Sequence, residues 1–280
     1  MNVISRQSLL DKTLLASRII ILLLILAFIA FPVIWLLSTS LASRISMFKI
    51  PPRLFTGFKL DNYSYVFEKM EISKWIMNSI LISLGTMILS LLLGVPSGYA
   101  FSRVEFKGKK ILLIMILLTR ALPTIVIVMP FRIIMQNFGL LGTRWAVILI
   151  DTVYNAAFTF WLMSGLFESL PKELEEAALI DGCGTVRAFI RIAVPLSIPG
   201  IITAALFAFI LSWNDFIFAL TLTSPDTTTL PLGMLSTFGI LQQGWTHMAA
   251  MGMIAIFPVI LLSLLLQRYY IGGLTFGGVK

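Results

Sequence analysis

Residues 75–102 read WIMNSILISLGTMILSLLLGVPSGYAFS, with no charged side chain anywhere in the stretch. A bilayer core about 30 Å thick is crossed by roughly 20 residues of helix, so this segment is long enough to span a membrane. Its Gly94-Val95-Pro96-Ser97-Gly98 carries a GxxxG spacing, which lets a second helix approach closely.

Working outward, five more runs have the same character. Residues 19–43 carry no charge, and residues 248–267 carry none either. Residues 111–131 are interrupted by Arg120, residues 145–167 by Asp151, and residues 192–225 by Asp215. Six spanning helices are therefore expected, in an all-α polytopic membrane protein. A spanning β-barrel would show short alternating strands instead. Composition agrees: 58% of the chain is apolar and 12% charged, against about 45–50% and about 25% in soluble domains. That excludes a water-soluble globule, a disordered chain and a fibrous one. The first run is too long for the core of a cleaved signal peptide and reads as a retained helix.

The net charge of +8 would suggest nucleic acid in a soluble protein. Here the basic residues flank apolar runs, so they read as topology signals, with no nucleic-acid partner. Arg103, Lys107, Lys109 and Lys110 crowd one short loop, which marks it as cytoplasmic and places both termini on that side. The expected organisation is a cytoplasmic N-terminus (1–18), a first helix (19–43), an external segment (44–74), a five-helix core (75–268) and a cytoplasmic tail (269–280). The external segment carries several basic residues, and the sequence offers no account of them. One cysteine, Cys183, excludes an internal disulfide, and one histidine, His247, excludes the usual His-rich metal sites.

One cytoplasmic connection, residues 168–195, is patterned. Ser169-Leu170-Pro171 is a helix-start signal. Glu173, Glu175 and Glu176 follow, well placed for the N-terminal end of a helix dipole. Ala177 and Ala178 give a flat face, and Gly182 and Gly184 break the helix. A second helical run, 186–193, is expected to end before Pro195. The whole reads as a helix–turn–helix outside the bilayer, with a small-residue face suited to docking another protein.

The spacing Glu176-Ala177-Ala178, Gly182, then Ile192-x-Val194-Pro195 resembles the EAA signature of ABC importer permeases. The likeness extends over nearly the whole chain, to the carbohydrate importers and specifically to the maltose-permease type G subunits. Asn78-Ser79 opens the second helix as in that family. Tyr99-Ala100-Phe101-Ser102-Arg103 with Phe106-Lys107-Gly108-Lys109 matches its first cytoplasmic loop. Pro130-Phe131 and Gly139-Leu140-Leu141-Gly142-Thr143 match the exit of the third helix. Trp213-Asn214-Asp215, Thr229-Leu230-Pro231-Leu232-Gly233 and the ending Gly272 to Lys280 match later landmarks. Two departures are small: the tail usually carries Ala near Phe276 or Gly277, and Cys183 stands where Ala is common.

The resemblance implies an inner-membrane subunit of a prokaryotic importer for a carbohydrate. It implies a second, F-type permease subunit, two cytoplasmic ATPase subunits and an extracytoplasmic solute-binding protein as partners. No Walker A pattern occurs in the sequence, so ATP and Mg would be bound by the ATPase subunits, with no cofactor in this chain. By the same resemblance Glu173, Glu176, Ala177, Ala178, Asp181 and Gly182 form the coupling helix seated on an ATPase. The tail with Gly277, Gly278 and Lys280 would reach toward that interface, and residues 224–246 would reach into the binding protein.

Intramembrane polar residues are functional candidates by default. Arg120 and Asp151 lie on successive spans and are expected to pair, which would lower the burial cost of both; the alternative is that each faces a water-filled pathway. Asn155 shares a helix face with Asp151. Asn214 and Asp215, beside Trp213, are either helix–helix glue or sugar contacts. Two other readings compete. A self-sufficient secondary transporter would show internal repeats with broken helices. An intramembrane enzyme would need Asp151 and Asp215 as a carboxylate dyad, and no protease-like Gly-x-Gly-Asp surrounds them.

Overall fold

A computed structural model describes residues 3–47, 50–51, 53–237 and 244–275. The described residues form helices α1 (Val3–Ser40), α2 (Arg44–Met47), α3 (Asp61–Lys69), α4 (Ile72–Arg103), α5 (Lys109–Ala121), α6 (Thr124–Asn137), α7 (Arg144–Ser169) and α8 (Glu173–Ile180). After these come α9 (Thr185–Ala188), a π-helical turn (Phe189–Ala193), α10 (Val194–Leu196), α11 (Ile198–Trp213), α12 (Ile217–Leu222), α13 (Leu230–Ser236) and α14 (Trp245–Thr275). No strand forms among the described residues; Gly142 and Thr223 make one isolated bridge. The protein is an all-α, multi-pass membrane protein.

Four helices are long and apolar enough to cross a bilayer alone, Leu14–Ser40, Ile72–Arg103, Arg144–Ser169 and Trp245–Tyr269. Two bent pairs raise the number to six. The run expected as the third span is broken: α5 and α6 meet at 91°, because Pro123 has no N–H for a helix ladder and forces Leu122 into an extended conformation (φ −70°, ψ 131°). The fifth run bends by 78° between Leu196 and Ile198 and stops at Trp213, with α12 a separate short helix. The second helical run of the coupling loop also differs from expectation. It does not stop before Pro195; the wide π turn, closed by the Val194 N–H on the Phe189 carbonyl, carries the chain into Val194–Leu196.

The chain divides into two compact units, 1–70 with 238–254, and 71–237 with 255–280. In the first, the segment whose basic residues the sequence left unexplained closes the end of α1. Asn62 donates to the carbonyls of Ser40 (2.8 Å) and Ala42 (3.0 Å). Ser40 Oγ meets the Tyr63 hydroxyl at 2.8 Å, and Ser38 Oγ accepts from the Phe55 N–H at 2.7 Å. A helix end otherwise leaves four carbonyls without partners, so α3 serves as a cap supplied from a distance. Tyr65 and His247 stack with ring centroids 4.2 Å apart.

The second unit is built on α4. One face of α4 presents Ser79, Ser83, Thr86, Ser90, Gly94 and Gly98, all buried, at spacings of three or four residues that keep them on one side of a helix. α7 and α11 pack there. The approach is close: a Cβ on Gly94 would sit 2.5 Å from Thr159 Cγ2, and one on Gly98 would sit 3.0 Å from the Ser164 nitrogen. The GxxxG therefore acts as a backbone contact. One apolar cluster, with Ile82, Val147, Ile150, Phe218 and Leu222, lies at one end. A second, with Val95, Tyr99, Met163, Phe167 and Ala204, lies at the end where Tyr99 meets α8.

Candidate functional site

Helix α8, the expected coupling helix, begins at the Leu170-Pro171 corner. Its first turn is closed by the N–H groups of Glu175 and Glu176 on the Lys172 carbonyl, each at 3.0 Å. It ends in a Schellman arrangement: the Cys183 N–H reaches the Ala178 carbonyl (2.9 Å) and the Gly182 N–H reaches the Leu179 carbonyl (3.1 Å). Gly182 takes φ +84°, which an L side chain adopts only with strain. Nothing lies within 4 Å of a Cβ added there, so backbone conformation alone requires the glycine. Along α8, Glu173, Glu176 and Ala177 are exposed and Ala178 is half-buried; Asp181 and Gly182, just beyond it, are exposed. Leu174, Leu179 and Ile180 are exposed as well, Ile180 at 87%. An adjacent hollow is lined by Gly182, Gly184, Thr185, Arg187, Ile190 and Arg191.

Glu175 is the exception, the one buried residue of α8. Its carboxylate accepts from Arg103 Nη2 at 2.5 Å and from the Tyr99 hydroxyl at 2.6 Å. Arg103 Nε is 3.1 Å from the same carboxylate, and Arg103 Nη1 donates to the Phe167 carbonyl at 2.7 Å. Both charged side chains are nearly withdrawn from solvent, at 14% and 10% exposure. Tyr99 packs edge-on against Phe167 (5.4 Å) and tilted against Phe189 (4.6 Å). Burial pushes the Glu175 carboxyl up, and the hydrogen bonds from Arg103 and Tyr99 outweigh it, leaving the pKa below the ordinary value. Sequence reasoning placed Arg103 among the topology signals and left Glu175 out of the site. The available signal was positional: a carboxylate on a face otherwise turned to the bundle needs a cation, and Arg103 stands at the end of the neighbouring span.

The expected Arg120–Asp151 pair does not form. The Arg120 guanidinium lies over the Phe158 ring, 5.0 Å from its centroid. Phe158 is seven residues beyond Asp151, about 10 Å along α7, so the two charges sit at different depths. Asp151 is 3% exposed and accepts from Ser212 Oγ of α11 at 2.5 Å, with Thr86 Oγ1 of α4 3.3 Å from that hydroxyl. Asn155 donates to the Asp151 carbonyl within α7 at 3.0 Å. Asn214 returns to the Ile210 carbonyl at 2.8 Å, closing α11. Asp215 accepts from the Ala219 N–H at 2.9 Å, opening α12. Trp213 is buried and donates to the Ala255 carbonyl at 3.1 Å. Arg120 Nη1 and the Tyr154 hydroxyl are buried atoms without a hydrogen-bond partner.

At the opposite end of α4 a second polar junction holds the segment before α13. Asn78 donates to the carbonyls of Asp226 (3.0 Å) and Thr228 (2.9 Å) and accepts from Arg144 Nε (2.8 Å). Ser79 Oγ accepts from the Leu230 N–H at 2.8 Å, and Ser224 and Thr227 both reach the Gly142 carbonyl. Lys74 pairs with Asp226 at 2.8 Å. Residues 238–243 of the expected external loop, and Gly277, Gly278 and Lys280 of the tail, lie outside the described residues.

Comparisons with known proteins fit this geometry. The chain is 34% identical to the trehalose transport system permease protein SugB of Mycobacterium tuberculosis, over 92% of this chain and 94% of that one. It is 33% identical to the sulfoquinovosyl glycerol transport system permease protein SmoH of Agrobacterium fabrum, over 89% and 88%. Its fold matches a chain in the crystal structure of a bacterial ABC transporter involved in the import of the acidic polysaccharide alginate, with a TM-score of 0.76 at 23% identity, covering 93% of this chain and 97% of that one. Residues 88–273, from the middle of α4 to near the end of α14, match the family model throughout, and the chain belongs to the binding-protein-dependent transport system inner membrane components.

Proposed function

We propose that this chain is one permease subunit of an ATP-driven importer for a sugar, oligosaccharide or related polyol. It provides half of a transmembrane pathway and couples its two access states to ATP hydrolysed elsewhere. The carbohydrate class rests on relatives that carry trehalose and sulfoquinovosyl glycerol. The observation that carries the coupling role is α8 itself: a short helix between candidate spans with Leu174, Leu179 and Ile180 turned outward. Exposed apolar side chains outside the bilayer ask for a protein partner. Glu173, Glu176, Ala177, Ala178, Asp181 and Gly182 then form the docking face for a cytoplasmic ATPase subunit.

The remaining assembly follows from the same reading. A second, F-type permease completes the pathway, two ATPase subunits hold ATP and Mg, and a solute-binding protein delivers the sugar on the external side. Both termini are cytoplasmic, with Gly277, Gly278 and Lys280 near the ATPases. Arg120 and Tyr154, whose buried Nη1 and hydroxyl lack hydrogen-bond partners, are the best pathway candidates within the membrane; Asp151, Asn155, Asn214 and Asp215 serve helix packing and capping. The test is to tag the chain in its native membrane, solubilise it gently and identify what co-purifies by mass spectrometry. An ATPase with a second permease is expected. Recovery of the chain alone, intact and folded, would overturn the reading.

A further inference from the structure

α8 packs on α9 and the π-helical turn that follow it, and its polar tie to α4 is Glu175. Among its residues only Glu175 is buried, and the segments on either side are a Leu170-Pro171-Lys172 corner and a turn through Gly182 at φ +84°. A push or pull on the exposed face of α8 therefore reaches α4 through Glu175, beside the route along the chain into α9 and the π-helical turn. The Arg103 side chain receives it. One guanidinium holds the Glu175 carboxylate of α8 and the Phe167 carbonyl at the end of α7, from a position in the last turn of α4. Tyr99, one turn earlier on α4, donates to the same carboxylate and packs on Phe167 and Phe189. Two donors on one rigid helix and a planar, forked guanidinium fix both distance and angle.

We infer that Arg103, Glu175 and Tyr99 form a strut that makes α8 and the cytoplasmic end of α4 move as one body, so that displacement of the coupling helix enters the membrane bundle through α4. This rests on the importer reading, since it presumes an ATPase that moves α8. The carrying observation is the convergence of three elements on one nearly desolvated ion pair. Residues 103 and 175 act as positioning residues and touch neither nucleotide nor sugar.

The experiment uses the full complex purified from its host in lipid nanodiscs, with Cys183→Ser as background and a nitroxide on a cysteine placed at the exposed position Ala100 of α4. Its spectrum is recorded without nucleotide and after trapping with MgATP and vanadate. The parent is expected to change on trapping. E175Q and R103Q are expected to keep the ATPase subunits and to lose most of that change, and the charge-swapped E175R/R103E is expected to regain it. Retention of the full change in both single variants would overturn the strut. If the single variants lose the ATPase subunits, the swap decides: an assembled, responsive complex supports the strut, and an assembled, unresponsive one overturns it. A parent complex that carries ATPases but shows no change would overturn the strut alone, whereas a parent that carries none would overturn the importer reading beneath it.

Discussion

Counted singly, Arg103 and Glu175 are ordinary residues of a polar edge of the bundle; in the structure each is the reason the other can be buried. Removing one partner of such a pair leaves an uncompensated charge, at a cost of about 3–5 kcal/mol. Because the Glu175 pKa lies below its ordinary value of 4.5, the stabilisation is complete above that value and is lost as the pH falls through the lower folded-state pKa. Thermal melts of the detergent-solubilised chain should therefore fall more steeply on acidification for the parent than for Glu175→Gln, which has no proton to take up there. Equal slopes would show that the carboxylate is not held as described. Gly182 makes a separate point. Ala at this position meets open space but must adopt φ +84°, a strain of about 1–2 kcal/mol. Gly182→Ala should lower ATP-driven uptake modestly, and a bulky or charged residue such as Asp should abolish it while insertion into the membrane is unchanged. Full uptake by Gly182→Asp would remove this turn from the docking face. Both Arg120 and Asp151 were visible in the sequence as intramembrane charges. Their partners were not, because the depth and rotation of one span against the next depend on packing that neither segment contains.

Helices and their contacts were legible where a local rule writes them. The uncharged runs fixed the spans, the Pro171 and Gly182 signals bracketed α8, and the GxxxG of α4 marked a close approach. The breaks were less legible. Pro123 and Pro199 sit in runs apolar enough to read as continuous spans, and hydropathy is blind to a 91° turn. The capping of α1 by Asn62 was out of reach for a different reason, since the donor lies 20 and 22 residues from the carbonyls it satisfies. The α4–α7 contact can be tested directly. A side chain at Gly94 meets Thr159 Cγ2 at 2.5 Å and the Phe160 nitrogen at 3.0 Å, and the backbone atom cannot yield as a side chain does. Gly94→Val should cost about 1–3 kcal/mol or more through overpacking, read as a lower Tm and poorer recovery of monodisperse protein. Gly165→Ala, on α7 with nothing within 4 Å, is the control. It should be neutral or raise stability by up to about 1 kcal/mol through helix propensity.

For the molecule as a whole, the surface left open by the chain defines where other chains must come. Lys172, Arg187 and Arg191 are exposed around α8 and the adjoining turns. Limited trypsinolysis of the isolated chain should cut there early, and the assembled complex should be protected at the same positions; equal cleavage in both would place the ATPases elsewhere. Membership of the permease family was legible because the EAA spacing and its flanking landmarks run nearly the length of the sequence. The sugar was not legible, since the polar side chains of the spans are mostly spent on helix caps and packing.

The ion pair between α4 and α8 has a consequence for the history written in related sequences. A reversal of charge at position 175 strands the guanidinium at 103, and the converse holds, so each substitution alone passes through an unfit intermediate. Across descendants of this gene the two positions should stay fixed together or change together. Glu176 and Ala177, exposed on α8, should instead drift in step with the genes of the ATPase chains proposed to dock on them.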